Sequence, residues 1–315
     1  MTNTANVLDG KEFNGLHQQV RRRAIAQKHN FVVVDDKPYD SETGEYLGDK
    51  FRHELVPIRS DAQLRFIESK QVLGAHEEEN GGFVFTFFKQ SRTINERFPS
   101  LVTADIARLM YIATYTAWKT GRVQYDNGRV IDRKAIEGMF KLSDKRARQL
   151  FDRFVSEGIV SEQDGAVFVN PSVFYRGSLS DAPKEVTDLK YTRMFKDTVR
   201  DLYEKSEGRT IAQLALVYSI MPFLHFGSNA VCHNPDEVDD EQLKLITLDE
   251  LAVLLEYKDA AKLKTAMNKV KIDGKPVFGF FENPNDRRTK RIVVNPRAVF
   301  AGDGKQLAAI KILFN

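Results

Sequence analysis

Ile131-Asp132-Arg133-Lys134-Ala135-Ile136-Glu137-Gly138-Met139-Phe140, then Lys141-Leu142-Ser143-Asp144 and a second basic run to Glu157, is the stretch whose reading decides the fold. Gly158-Ile159-Val160 follows, then a polar tip at Gln163-Asp164-Gly165, then Val167-Phe168-Val169-Asn170-Pro171, closing at Gly177. The order is short helix, tight turn, second helix, glycine stop and two-stranded ribbon. In the second helix Ala147, Leu150, Phe151, Phe154 and Val155 recur at i, i+3, i+4, i+7 and i+8, so one stripe faces a core. The opposite face carries Lys145, Arg148, Gln149 and Asp152, flanked by Arg146 and Arg153. Ser143 is expected to cap this helix, Asp144 to sit at the positive end of its dipole, and Gly158 to end it in the left-handed conformation.

That order is the signature of a winged helix-turn-helix. Basic and amide side chains near the start of such a helix reach guanine and adenine edges in a major groove. The same composition also suits a solvated helix face. A second copy shifts the balance. Val169-Asn170-Pro171-Ser172-Val173-Phe174-Tyr175-Arg176-Gly177 is echoed by Val294-Asn295-Pro296-Arg297-Ala298-Val299-Phe300-Ala301-Gly302. In the later unit Leu248 to Tyr257 reads as the first helix, capped by Thr247, and Asp259 to Ile272 as the second. The second buries Ala260, Leu263, Met267 and Val270 and exposes Lys258, Lys262, Lys264, Thr265, Asn268 and Lys269. Val277 to Phe281 and Arg291 to Val294 make the ribbon, and the wing between them holds Arg287, Arg288 and Lys290. A repeat of this length is a duplicated module, because solenoids need three or more short units.

The chain has 315 residues, enough for two or three cores, and at 42% hydrophobic it is not disordered wholesale. No apolar run approaches the roughly 18 residues that span a bilayer, and the first residues lack the architecture of a signal peptide. One cysteine, Cys232, allows no internal disulfide, which favours a cytoplasmic setting. The net charge of +3 averages basic helices against acidic stretches such as Asp236 to Glu241, and local clustering is what a phosphate backbone feels.

The fold expected is α+β and mainly helical: two tandem winged helices behind a small N-terminal α+β region. Residues 1–95 form that region, 96–178 the first winged helix, 179–186 a linker, 187–303 the second winged helix and 304–315 an apolar tail that folds back or joins a partner. In the first region Phe13, Leu16, Val20 and Ala24 mark a helix that also carries Arg21, Arg22 and Arg23, an arm for phosphates or a wet helix face. Phe31 to Val34 reads as a strand, Asp35 to Asp40 as turn chemistry, Arg59 to Ala75 as a helix and Phe83 to Phe88 as a strand. Ile106, Leu109, Met110, Ala113, Ala117 and Trp118 form the apolar face of a supporting helix, followed by a hairpin turning at Asn127-Gly128. A helix from Asp188 to Lys205 opens the second unit, and Thr210 to Pro222 continues it.

Enzyme motifs are absent: there is no GxxxxGK[ST], no GxGxxG after a strand, no HExxH and no GxSxG. His225, Cys232 and His233 lack the spacing of a zinc site, and Asp35-Asp36 lacks the further acidic ligands of a metal nuclease. No catalytic residue, metal or cofactor is therefore expected.

With Asn127-Gly128 ahead of the first head, Asp132 to Leu150 within it, and Val-Asn-Pro…Phe…Gly closing both units, the chain resembles winged-helix proteins of phages and plasmids of Gram-positive bacteria. These include RepL-type replication initiators and MarR-like regulators. The likeness spans about residues 100 to 302; the first 95 match no domain of either group. It implies origin binding by two winged helices in successive major grooves, or repression of a mobile element's promoter. A third expectation, from another class, is a host-interaction protein whose winged helices bind protein. Double-stranded DNA is the partner expected, with a homodimer or host replication or transcription proteins beside it, in the cytoplasm at the nucleoid.

Overall fold

The computed structural model describes residues 31–34, 37–40, 44, 46, 60–88, 94–186, 189–206, 210–283 and 286–314. The chain divides into two compact units, residues 1–69 and residues 70–315. In the first, β1 (Phe31–Val34) pairs antiparallel with β2 (Lys37–Asp40), and Tyr39 bridges Tyr46. Lys37 to Asp40 is thus a strand, where turn chemistry was expected, because pairing with β1 overrides the local propensity of its Lys, Pro and Asp. Asp35, Asp36 and the Arg21-Arg22-Arg23 triplet lie outside the described residues. Helix α1 (Asp61–Glu79) runs across the boundary between the units.

In the larger unit, β3 (Phe83–Phe88) leads through a short helix, α2 (Ile94–Arg97), to α3 (Thr103–Ala113). Then come α4 (Arg133–Met139), α5 (Asp144–Ser156), the hairpin β4 (Val160–Gln163) and β5 (Ala166–Val169), and β6 (Phe174–Tyr175). The order recurs: β7 (Lys190–Phe195), α6 (Lys196–Glu204), α7 (Ile211–Ile220), α8 (Leu248–Leu254), α9 (Ala260–Lys269), a ribbon, and β12 (Val299–Phe300). That ribbon comprises β8 (Lys271–Ile272) with β9 (Lys275–Pro276), and β10 (Phe278–Asn283) with β11 (Asp286–Val294). Helix α10 (Gly304–Ile312) ends the chain, folding back so that Leu307, Ile310 and Phe314 are buried. The described residues are an α+β fold of helices and small antiparallel sheets, and no helix among them is long and apolar enough to cross a membrane.

The repeat holds bond by bond. The bridge Thr116–Val123 returns as Leu224–Val231, and Arg122–Phe168 as Ala230–Val293. Gly121 O accepts from Val169 N at 2.8 Å; Asn229 O accepts from Val294 N at 3.0 Å. Both positions are left-handed, at φ 72° and 54°, and at Gly121 a Cβ would also stand 2.9 Å from Val169 O. Asn229 tolerates the conformation because its amide donates to Val294 O and Val299 O, each at 2.8 Å. The Asn-Pro motif repeats in role as well. Asn170 donates to Gly158 O (2.8 Å) and accepts from Ser172 N (2.9 Å); Asn295 donates to Pro276 O (3.2 Å) and accepts from Arg297 N (3.0 Å). Each asparagine pins the ribbon's exit to its start.

The two copies are joined by a sheet of order β12-β7-β3-β6, all antiparallel. Its inner strands are equivalents of one another: Phe85 pairs with Tyr175 as Arg193 pairs with Phe300, and Thr86 with Phe174 as Met194 with Val299. Equivalent strands can pair antiparallel only across a local two-fold axis, so the copies are related by rotation, not by translation along the chain. Helices α3 and α7 pack against each other at this axis, and one hydrophobic core runs from Ile106 and Leu109 to Leu214 and Val217.

Several boundaries differ from the sequence reading. Lys190 to Phe195 is a strand, although a helix was expected from Asp188; it is recruited by pairing with β3, a non-local effect that overrides local periodicity. The supporting helix stops at Ala113, which leaves Trp118 in the following turn at 55% exposure. Val155, counted in the buried stripe, is 43% exposed. The expected loop between the second unit's ribbon strands is largely strand, since β11 begins at Asp286. Residues 179–186 hold two short 3-10 turns, Leu179–Asp181 and Lys184–Val186.

Candidate nucleic-acid interface

On α5 the side chains of Lys145, Arg146, Arg148 and Gln149 are exposed, while Ala147, Leu150, Phe151 and Phe154 are buried. Helical period alone accomplishes this sorting. On α9 and the turn before it Lys258, Lys262, Lys264, Thr265, Asn268 and Lys269 are exposed, with Leu263 and Met267 buried. Aligning the N-caps, Ser143 and Asp259, puts Arg146 opposite Lys262, Arg148 opposite Lys264 and Gln149 opposite Thr265. Two helices thus carry cations at matching positions.

The caps are not equivalent. Asp259 accepts from Lys262 N at 2.7 Å, and Thr247 forms a full capping box with Glu250 on α8. Ser143, expected to cap α5, makes no side-chain cap bond. The end of α4 and the turn leading to α5 are instead held from other elements. Lys141, left-handed at φ 55°, sends its ammonium to the carbonyls of Tyr203 (3.1 Å), Glu204 (3.0 Å) and Ser206 (3.3 Å) at the end of α6. Tyr203 returns a bond to Met139 O at 2.9 Å, and Arg108 of α3 donates to Phe140 O at 2.8 Å. The first helix-turn-helix is therefore gripped by a helix of the second copy, a coupling no local sequence pattern announces.

Arg153, counted among the DNA-facing residues, is tied inward instead. Its Nη2 donates to Asp105 at 2.8 Å, and the Asp105 side chain is 5% exposed. Asp152 is neutralised by Arg133, which also pairs with Glu137 (2.7 Å) and lies over the Phe151 ring at 4.6 Å. Arg133 and Asp105 are supports of α5 that sequence reasoning missed; the N-terminal position of an acid on α3 was the only signal. Arg148 makes one weak bond, to Asp144 O of its own helix at 3.3 Å. Lys264 lies over the Phe280 ring at 5.4 Å, which sets its direction while leaving it exposed.

The two ribbon tips differ in length and charge. Gln163 pairs with Ala166 across a two-residue turn, Asp164-Gly165, left-handed at both positions as that hairpin requires. Glu162 and Asp164 make this tip acidic. The second ribbon is longer and carries Arg287, Arg288 and Lys290 in β11. Lys290 is exposed; the side chains of Arg287 and Arg288 lie outside the described set.

Cys232 is buried, and His225 is bonded to Ser228 (2.8 Å) and to Glu237 O (2.7 Å), anchoring the acidic loop. Among the described residues no group of three or more His, Cys, Asp or Glu could hold a metal ion. No family model matches the chain, and neither a curated protein nor a solved structure matches it.

Proposed function

We propose that the chain binds double-stranded DNA through two fused winged helices, each laying its second helix in a major groove. The observation that carries this reading is the exposed cation set at matching positions of α5 and α9, on copies related by a local two-fold axis. A two-fold axis preserves the component of a face's direction along the axis and reverses the component across it. With α5 and α9 both presenting their cations along that axis, one duplex crossing it meets both.

Lys145, Arg146, Arg148 and Gln149 serve as the first reading set, and Lys258, Lys262, Lys264, Thr265, Asn268 and Lys269 as the second, with Arg287, Arg288 and Lys290 on phosphates. Arg153 leaves the list because its charge is spent on Asp105. The first wing, tipped by Glu162 and Asp164, repels a phosphate backbone, so backbone contact falls to the second wing. The half-sites lie in inverted orientation, about one helical turn or a multiple of it apart.

Origin binding of the replication-initiator type, on a phage or plasmid, is the first biological reading. Repression of a mobile element's promoter is the second, and the two-fold relation favours it specifically, since an inverted site is the form an operator takes for a two-fold reader. Selection of bound genomic fragments followed by footprinting separates them. A reiterated array at an origin supports the first and a single inverted site over a promoter the second. Affinity for duplexes that does not change with salt would remove both in favour of a protein-binding role.

A further inference from the structure

A cleft of about 420 Å³ opens where the hairpin of the first copy meets the start of α6 from the second, lined by Tyr115, Asp126, Arg176, Lys196 and Asp197. Its cations are unequally satisfied. Arg200, beside it, is spent: it pairs with Asp126, donates to Thr114 Oγ1 and Thr114 O at 3.0 Å each, and lies over the Tyr115 ring at 4.2 Å. Lys196, with a side chain 5% exposed, reaches one acceptor among the described residues, Asp126 Oδ1 at 3.1 Å, although an ammonium has three donors. Arg176 is half-buried; its carbonyl accepts from Lys119 N at 2.7 Å, while its guanidinium has no hydrogen bond or ion pair among the described residues. Its guanidinium comes within 4.0 Å of where a Cβ on Gly82 would stand.

Half-buried donors facing a cleft with too few acceptors are complementary to an oxyanion. Of the two carboxylates at the cleft, Asp126 answers both Lys196 and Arg200, and none of the three cations is paired with Asp197 among the described residues. Both under-satisfied cations are particular to one side of the two-fold axis. Phe88 occupies the position equivalent to Lys196, and Ala301 that equivalent to Arg176, so the charge was added to one copy of a duplicated frame. The volume exceeds what a bare oxyanion needs and falls within the range of small-ligand pockets, roughly 300 to 1,000 Å³.

We propose that this cleft binds the phosphate of a small phosphomonoester, with Arg176 and Lys196 as its donors. Because the cleft is built from both copies, the bound phosphate braces one against the other. This site is independent of the DNA-reading proposal. The test is calorimetric titration of the full chain at low salt with inorganic phosphate and with adenosine 5′-monophosphate. It is paired with thermal unfolding in phosphate against chloride of equal ionic strength. The expected result is saturable one-to-one binding and a higher Tm in phosphate; Arg176→Gln weakens binding about tenfold or more, while Lys305→Gln on α10 does not. Wild-type protein showing neither saturation nor a Tm rise overturns the proposal, whatever the variants do. So does an Arg176→Gln chain that binds phosphate as well as wild type. A loss confined to duplex binding, with no response to either free phosphate probe, assigns Arg176 to the DNA backbone and overturns it too.

Discussion

Replacing Arg153 by methionine separates a structural arginine from Arg148, proposed to contact DNA from the same helix. Arg153 is 37% exposed and its partner Asp105 only 5%, at 2.8 Å. Exposed ion pairs contribute about 0–1 kcal/mol, whereas removing one partner of a fully buried pair costs about 3–5 kcal/mol. With one partner buried and the other a third open, the loss falls between these, at about 2 kcal/mol. Asp105 would keep only the Val102 amide at 3.3 Å and Arg108 at 3.6 Å. In a body of this size the loss lowers Tm by about 4–8 °C. Arg148→Met, on the exposed face, changes stability by no more than about 0.5 kcal/mol and instead weakens duplex binding. Urea or thermal unfolding of both variants, beside a duplex titration, reads the contrast. An Arg153→Met protein with unchanged Tm and a binding loss equal to that of Arg148→Met would refute the assignment of Arg153 to the core.

Truncating either motif asparagine, Asn170→Ala or Asn295→Ala, removes two bonds that fix a ribbon and should cost about 1–2 kcal/mol in urea unfolding. Gly121→Ala forces a side chain into a left-handed position against Val169 O, and a loss of about 1–3 kcal/mol is expected by the same assay. The hydrogen bond from Arg200, the stronger of its two cationic partners, holds Asp126 down at about 2. A folded value below the unfolded one means that its contribution is complete above about pH 4 and is lost as pH falls towards 2. With the Asp126 side chain 60% exposed, screening reduces that contribution to about 1 kcal/mol, so Asp126→Asn should flatten the acid limb of the stability profile by that amount.

The helix pairs α4–α5 and α8–α9 were legible because their signals are local. Apolar period placed α4, α5, α8 and α9 to within a few residues, helped by the Thr247 cap and the Gly158 stop, and the echo of Val-Asn-Pro announced the repeat. What local pattern could not supply was partnership. Lys190 to Phe195 looks like the lead-in to an amphipathic helix until β3 pairs with it, and that pairing alone creates the two-fold axis. The inward turn of Arg153 depends on Asp105 in another helix, and the grip of Lys141 depends on carbonyls at the end of α6. In each case a side chain that reads as solvated has its partner far away in the chain.

The most direct measurement is the salt dependence of duplex affinity for the full chain and for variants in each head. Two cationic helices on one duplex predict a linear fall of log Kobs with log salt, at a slope of roughly −0.9 for each phosphate neutralised. Phosphate-contacting lysines should lower the magnitude of that slope by about 1 each, and losses from α5 and from α9 should both register on the same duplex. A slope near zero, or a slope that only one head's variants can move, would contradict the account.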